Sequence, residues 1–416
     1  MAEMKDSGVV FIGNIPKEWD LYSVKHLFKI GRGRVISELE LDDDGKYPVY
    51  SSQTKNEGCM GYINTYDFDI DQLTWTTDGV YAGTVFIRHG KHNCTNVCGT
   101  LQPNEKNDND LQYLKYALEC IATYHRRKDI NGGKIMNNEM ARIKIPIPPK
   151  DIQINIAEFL DKKCAEIDAL HTDIEKQIET LEEYKKSIIT EAVTKGLDPD
   201  VEMKDSGIEW IGMIPKHWKI YRYKHLASLV RGGSPRPAGN PIYYYGDIPF
   251  MKVADITKDD RMYVDSCEGS IKPAGLSNTR MVSKGTLLLT NSGATLGVPK
   301  ILNIDTTIND GIAAFLNLSN KLNIKFAYYS LKSKTEYFLQ VAALGMGQPN
   351  LNTDIIGNTY VTIPPKYEQQ KIIEFLDVKC AEIDGAIRDK KEQLETLEQY
   401  KKSVIYEYVT GKKEVQ

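Results

Sequence analysis

The 416-residue chain has no run of 18 apolar residues, so no membrane-spanning helix is expected. Its first stretch, MAEMKDSGVVFIGNIPKEW, lacks a basic segment leading into a long apolar one, which argues against a secretory leader. Cysteine is scarce: seven, at positions 59, 94, 98, 120, 164, 267 and 380, an odd number thinly spread. That pattern suits a reducing cytoplasm rather than a disulfide framework. An excess of one charge is also missing, with 53 Lys and Arg against 57 Asp and Glu. Catalytic signatures are missing as well. There is no G-x-x-x-x-G-K-[ST] phosphate loop, and GRGRVI (31–36) and GMGQPN (345–350) lack the third glycine of a dinucleotide turn. No Asp/Asn-Pro-Pro-aromatic loop of the kind that holds a target amino group occurs either. PDVEMK (199–204) imitates a nuclease carboxylate–carboxylate–lysine set, but its carboxylates are too close in sequence to lie on separate strands.

What the chain does contain is itself, twice. Residues 4–27 return at 203–226 with 15 of 24 positions identical, and residues 156–189 return at 372–405 with 22 of 34 identical. Between these repeated segments lie two inserts, roughly 28–147 and 227–363, with little obvious similarity to each other. The layout is a repeated frame around two different inserts.

Charge follows this division. Residues 148–202 carry 7 basic and 14 acidic residues, 219–365 carry 16 and 10, and 20–147 carry 16 and 17. A local net of +6 in the second insert favours a polyanionic partner, since steering depends on the local field. The first insert does not share it.

The second repeated segment has heptad spacing. Leu160, Ile167, Ile174, Leu181 and Ile188 recur every seven residues, with Cys164, His171, Ile178, Lys185 and Ala192 on the adjoining seam. Leu376, Ile383, Leu397 and Val404, with Cys380, Ile387, Leu394 and Tyr408, form the equivalent seams of the copy. Sustained heptads with Glu and Lys elsewhere predict coiled coil. About 44 residues from Ile152 to Lys195 would span about 66 Å at 1.5 Å per residue. Each helix should start after a Pro-Pro step (148–149, 364–365) and stop at Gly196 or Gly411. His171 is matched by Ile387, and Ile174 by Lys390, so the near-copies differ at seam positions. This suits intramolecular antiparallel pairing with each other.

The inserts read as mixed α/β. Strands are expected within 47–52, 79–90, 246–256 and 285–293, and helices over 110–124 and 324–344. His89, His92, Cys94 and Cys98 could supply four nitrogen and sulfur ligands. Their spacing is not that of a standard finger, and the second insert has no counterpart, so no metal site is expected. There remain polar loops rich in Arg, Lys, Asn, Gln, Ser and Gly. In the first insert the candidates for DNA contact are Arg32, Arg34, Ser52, Gln53, Lys55, Arg126, Arg127 and Lys128. In the second they are Arg231, Ser234, Arg236, Lys252, Asn291, Ser292, Thr295, Gln348 and Asn350. Arg forks onto guanine, and Asn or Gln onto adenine, so these side chains suit base edges. Most Gly, Asn, Ser and Pro residues in such loops also simply make turns.

The whole chain resembles the DNA-specificity subunit of type I restriction–modification systems. The resemblance rests on the twice-occurring IGxIPxxW (12–19, 211–218), RGGSP (231–235), GQPNLN (347–352) and the exit IPxPP or IPP before a helix carrying EFLDxKCAEID. It implies an α+β fold: two mixed α/β target recognition domains (1–147 and 203–365) joined by two long antiparallel coiled-coil helices (148–202 and 366–416), with an internal pseudo-repeat. It also implies that each domain reads half of a split site in double-stranded DNA. The helices would act as spacer and as docking surface for two methyltransferase subunits, with restriction/translocase subunits added for cleavage. S-adenosylmethionine, ATP and Mg would be used by those partners, and this chain would hold no cofactor and carry no catalytic residue. A cytoplasmic location follows from such a role. The other readings are a stand-alone nuclease or DNA methyltransferase, or a coiled-coil scaffold without DNA binding. The Arg/Asn/Gln loops in two unlike inserts argue against the scaffold.

Overall fold

The computed structural model describes residues 3–105, 107–129, 132–293, 295–343 and 350–415. Two compact units emerge from the packing: residues 1–175 with 391–416, and residues 176–390. The long helices run over Lys150–Lys195 and Lys366–Val409, and each contributes one half to each unit.

The repeated sequence makes a repeated frame. Its hairpin, Met4–Asp6 with Asn14–Pro16 or Met203–Asp205 with Met213–Pro215, buries the IGxIPxxW residues. Ile12 and Ile15, like Ile214 and Trp218, are 0% exposed, and Trp19 only 5%. In the first unit this hairpin packs on the end of the second long helix: Tyr406 and Lys412 both donate to the Ile12 carbonyl oxygen. In the second unit the same packing falls to the end of the first long helix, where Gly196 faces Trp218. Gly196 and Gly411 stop their helices in the left-handed conformation, at φ +81° and +67°.

The helices pair antiparallel within each unit. Phe159 meets Tyr408 and Asp168 bonds Lys401 in the first; Lys185 bonds Asp384 at 2.6 Å in the second. The two lysine–aspartate pairs occupy equivalent positions of the repeat. All twelve aliphatic seam residues (Leu160, Ile167, Ile174, Ile178, Leu181, Ile188, Leu376, Ile383, Ile387, Leu394, Leu397 and Val404) are buried or half-buried. His171 lies half-buried among carboxylates, 3.4 Å from Glu175 and 4.0 Å from Glu398.

The inserts, so different in sequence, share one topology. In the first, an antiparallel sheet runs in the order 85–88, 72–76, 98–103, 28–32. In the second, strands 299–302, 287–290, 312–316 and 228–231 repeat that order. A second sheet in each has a parallel central pair, 47–50 with 91–94 and 244–251 with 306–308. One helix, Leu111–Ala122 or Ile324–Lys332, covers the first sheet and carries the insert onto the long helix.

The attachment is the same twice. Gln153 and Gln369, each 1% exposed, accept from the backbone N–H of Asp110 and Asn323, the residues that cap these two helices. The aspartate of each EFLD segment accepts from a tyrosine hydroxyl at 2.7 Å, Asp161 from Tyr116 and Asp377 from Tyr329. Asp377 also holds Lys325. The motif is therefore an anchor. Asp377→Ala should lower the stability of the full chain by about 1–3 kcal/mol, because the buried Tyr329 hydroxyl loses its acceptor. Adding Tyr329→Phe should recover part of the loss in thermal melting.

Two local expectations are corrected. Residues 253–257 are helical rather than strand, because Asp255 folds back to accept from the Lys252 N–H at 2.8 Å. The expected helix over 324–344 is broken into Ile324–Lys332 and Thr335–Ala343. At the break, Ser333 and Lys334 both bond back to the Ser330 carbonyl oxygen, and such side-chain bonds compete with the helical ladder.

Candidate nucleic-acid interface

In the second unit Arg231, Ser234, Arg236 and Asn291 gather around one turn, Asn309–Gly311, between strands Thr306–Ile308 and Ile312–Leu316. Arg231 Nε donates to the Asp310 main-chain oxygen at 2.6 Å, and Ser234 Oγ donates to Asp310 Oδ1 at 2.6 Å. Arg236 lies 3.4 Å from Asp310 Oδ2. Arg231 thus takes the carbonyl of this aspartate, and Arg236 its carboxylate. A Cβ at Gly232 would meet the Asn309 oxygen at 2.2 Å, so this close approach of loop and turn requires glycine. Asn309 donates to the Met251 carbonyl oxygen, which fixes the backbone just before exposed Lys252. Asn291 donates its N–H to the Gly311 oxygen, and Ser292 pairs with Asn350.

Electrostatics at this turn are mixed. The Ser234 bond and the nearby Arg236 and Arg231 hold the Asp310 carboxyl below the usual carboxylate range, so it is ionised at neutral pH. Arg236 keeps 72% of its side chain exposed. The Asn291 side chain is fully buried, and neither its amide nitrogen nor its oxygen has a partner among the described residues. Thr295 is exposed, and Gln348 lies outside the described residues.

The first unit builds the equivalent turn from Thr95–Val97, where Thr95 donates to the Tyr50 oxygen as Asn309 does to Met251. Around it the cations are more heavily engaged. Arg34 bonds both Glu40 (2.8 Å) and Asp67 (3.1 Å), which raises its pKa, so it stays a cation whose charge the two carboxylates offset. Arg32 donates to Asn137 at 3.1 Å, and Arg127 pairs with Glu139. Arg126 reaches the Val80 carbonyl oxygen, while Lys128 and Lys55 are exposed. Ser52, Gln53 and Lys55 lie on one loop, where Gln53 donates to the Cys59 oxygen and Asn56 and Glu57 both have left-handed φ. Strain of that kind in a non-glycine pair gathers at functional loops.

Beneath this loop lies Arg88, which the sequence reading passed over. It is 2% exposed, its guanidinium is 3.6 Å from the Tyr50 ring centroid, and Nε donates to Thr74 at 2.9 Å. A cation closing an otherwise apolar strand, VFIR, was the available signal. His89 and His92 point to different places: His89 is exposed on Asp71, whereas His92 is buried between Gln72 and the Gly90 oxygen. Burial pushes the His92 pKa down, so the ring is neutral and receives the Gln72 amide hydrogen.

Two stretches, 16–180 and 215–396, match the family model for the type I restriction modification DNA specificity domain. The chain belongs to that family. Each matched stretch starts at the end of a frame hairpin and runs through an insert into a long helix, so the type I specificity domain occurs twice. A putative type I specificity subunit of Mycoplasma pneumoniae is 26% identical over 362 residues, covering 86% of this chain and 88% of that protein. The MjaVIII specificity subunit of Methanocaldococcus jannaschii is 26% identical over 431 residues, covering 96% and 93%. The fold also matches a chain solved in work on complex assembly and conformational transition of the type I R-M system. There the TM-score is 0.70 at 14% identity, covering 95% of this chain and 99% of the other. The family read from IGxIPxxW, RGGSP and EFLDxKCAEID stands, as does the repeat of mixed α/β domains on paired helices. Among the described residues no helix is long and apolar enough to cross a membrane.

Proposed function

We propose that this type I specificity subunit gives a restriction–modification complex its DNA sequence, each recognition domain reading one half of a split double-stranded site. The observation that carries this reading is the pair of equivalent turns, Thr95–Val97 and Asn309–Gly311. One fold presents a different polar set on each, as reading two unrelated half-sites demands. The paired helices carry two methyltransferase subunits, and restriction/translocase subunits complete the cleaving complex. Adenine-N6 methyl transfer from S-adenosylmethionine, and cleavage driven by ATP with Mg, belong to those partners in the cytoplasm. To test this division, the purified full chain is incubated with duplex DNA, Mg and S-adenosylmethionine, alone and with a methyltransferase subunit. Transfer should occur only in the mixture; transfer by the chain alone would make it an enzyme.

Within the second domain, exposed Arg236 contacts phosphate. Arg236→Ala in the full chain should weaken duplex binding about uniformly across sequences and flatten the salt dependence by about 1 in slope. Titrations at several salt concentrations measure both. Of the two domains the second supplies more of the salt-dependent affinity, because residues 219–365 carry 16 basic and 10 acidic residues against 16 and 17 in residues 20–147.

A further inference from the structure

We infer that one position at the tip of the equivalent turn, Asn96 in the first domain and Asp310 in the second, determines specificity in each half-site. This rests on the proposed role in DNA recognition and goes beyond it by naming the residues. Structural equivalence comes from the backbone. The residue before each makes the same bond, Thr95 to the Tyr50 oxygen and Asn309 to the Met251 oxygen, across the parallel strand pair common to both domains. The fold thus delivers the next side chain to the same place twice, and the chemistry there differs: a neutral amide once, a carboxylate once.

Asp310 is an unusual group to find among cations offered to DNA. A carboxylate repels phosphate, so its presence between Arg231, Ser234 and Arg236 is explained if the turn faces base edges and the flanking cations face the backbone. It accepts one bond at Oδ1 from Ser234 and a long one at Oδ2 from Arg236. A carboxylate has about four acceptor sites, so capacity remains for an exocyclic amino group. Cytosine N4 and adenine N6 offer that donor in the major groove; guanine and thymine present acceptors there. The Ser234 bond also holds the carboxylate in one orientation, as a reader requires. Asn96 is exposed at the matching tip, and an amide both donates and accepts, so it forks onto adenine. Asp310 therefore selects an amino-bearing base in the second half-site, and Asn96 an adenine in the first.

The test uses the full chain co-expressed with its methyltransferase subunit, with methylated bases mapped across the genome. The wild-type motif is read first; failure to obtain any motif would count against the parent reading, not against these two residues. Asp310→Asn should reduce preference at one position of the second half by about tenfold or more, leaving the other half and the gap unchanged. Asn96→Asp should do the same in the first half only. Continued full methylation at permissive sites separates a reader from a structural residue. Unchanged motifs in both variants would overturn the inference. So would a fall in methylation spread equally over all sites, or relaxation of both halves by one substitution.

Discussion

Replacing residues 28–147 with the corresponding insert of another family member should exchange one half of the recognised sequence completely and leave the other half unchanged. The structural reason is that each insert is held by the frame at a few repeated points. The strand Asp20–Ser23 pairs with Lys144–Ile147, and Gln153 and Asp161 of the long helix grip the helix Leu111–Ala122 through the Asp110 N–H and the Tyr116 hydroxyl. A donor insert needs to bring the matching closing strand, capping residue and tyrosine. A one-base mismatch typically costs about 1–3 kcal/mol, and several changed positions add roughly, so the old half-site should become indistinguishable from random sequence. Methylome mapping reads this directly. Alteration of both halves would show that the inserts are not independent readers.

The second large effect concerns the gap between half-sites. Four residues added after Glu175, with four added after Lys390, lengthen each helix by about 6 Å and turn it about 40° beyond one full turn. The additions fall between the two lysine–aspartate pairs, Asp168–Lys401 and Lys185–Asp384, so both pairs survive. The prediction is a changed gap with both half-sites keeping their bases. An insertion in one helix alone should shift one side of the seam against the other, and activity should fall at all sites. If the paired insertion left the gap as it was, the helices would not set it.

How much of this was legible in the sequence differs by level. The frame and the helices could be read because identity at long range and a seven-residue period are both local signals. The common topology of the inserts could not, because strands such as Gln72–Thr76 and Leu287–Thr290 take equivalent places with different side chains. Basic and amide-rich loops in the sequence singled out residues that the fold brings together in the second domain: Arg231, Ser234 and Arg236 converge. The centre they converge on, Asp310, was invisible, since a lone aspartate in Asn309-Asp310-Gly311 looks like an ordinary turn. Its role depends on Gly232 and Ser234, about 75 residues earlier, lying against it, and only strand pairing brings them there. The same limit applies to Arg34, whose pairing with Asp67 depends on a contact between distant loops.

The most direct measurement of the central claim is the map of methylated adenines in cells that carry this chain with its methyltransferase subunit, compared with cells lacking only this chain. The account predicts a single motif of two short defined halves separated by a fixed stretch of unspecified bases, with methylation lost when the chain is absent. An undivided motif, or methylation that persists without the chain, would contradict it.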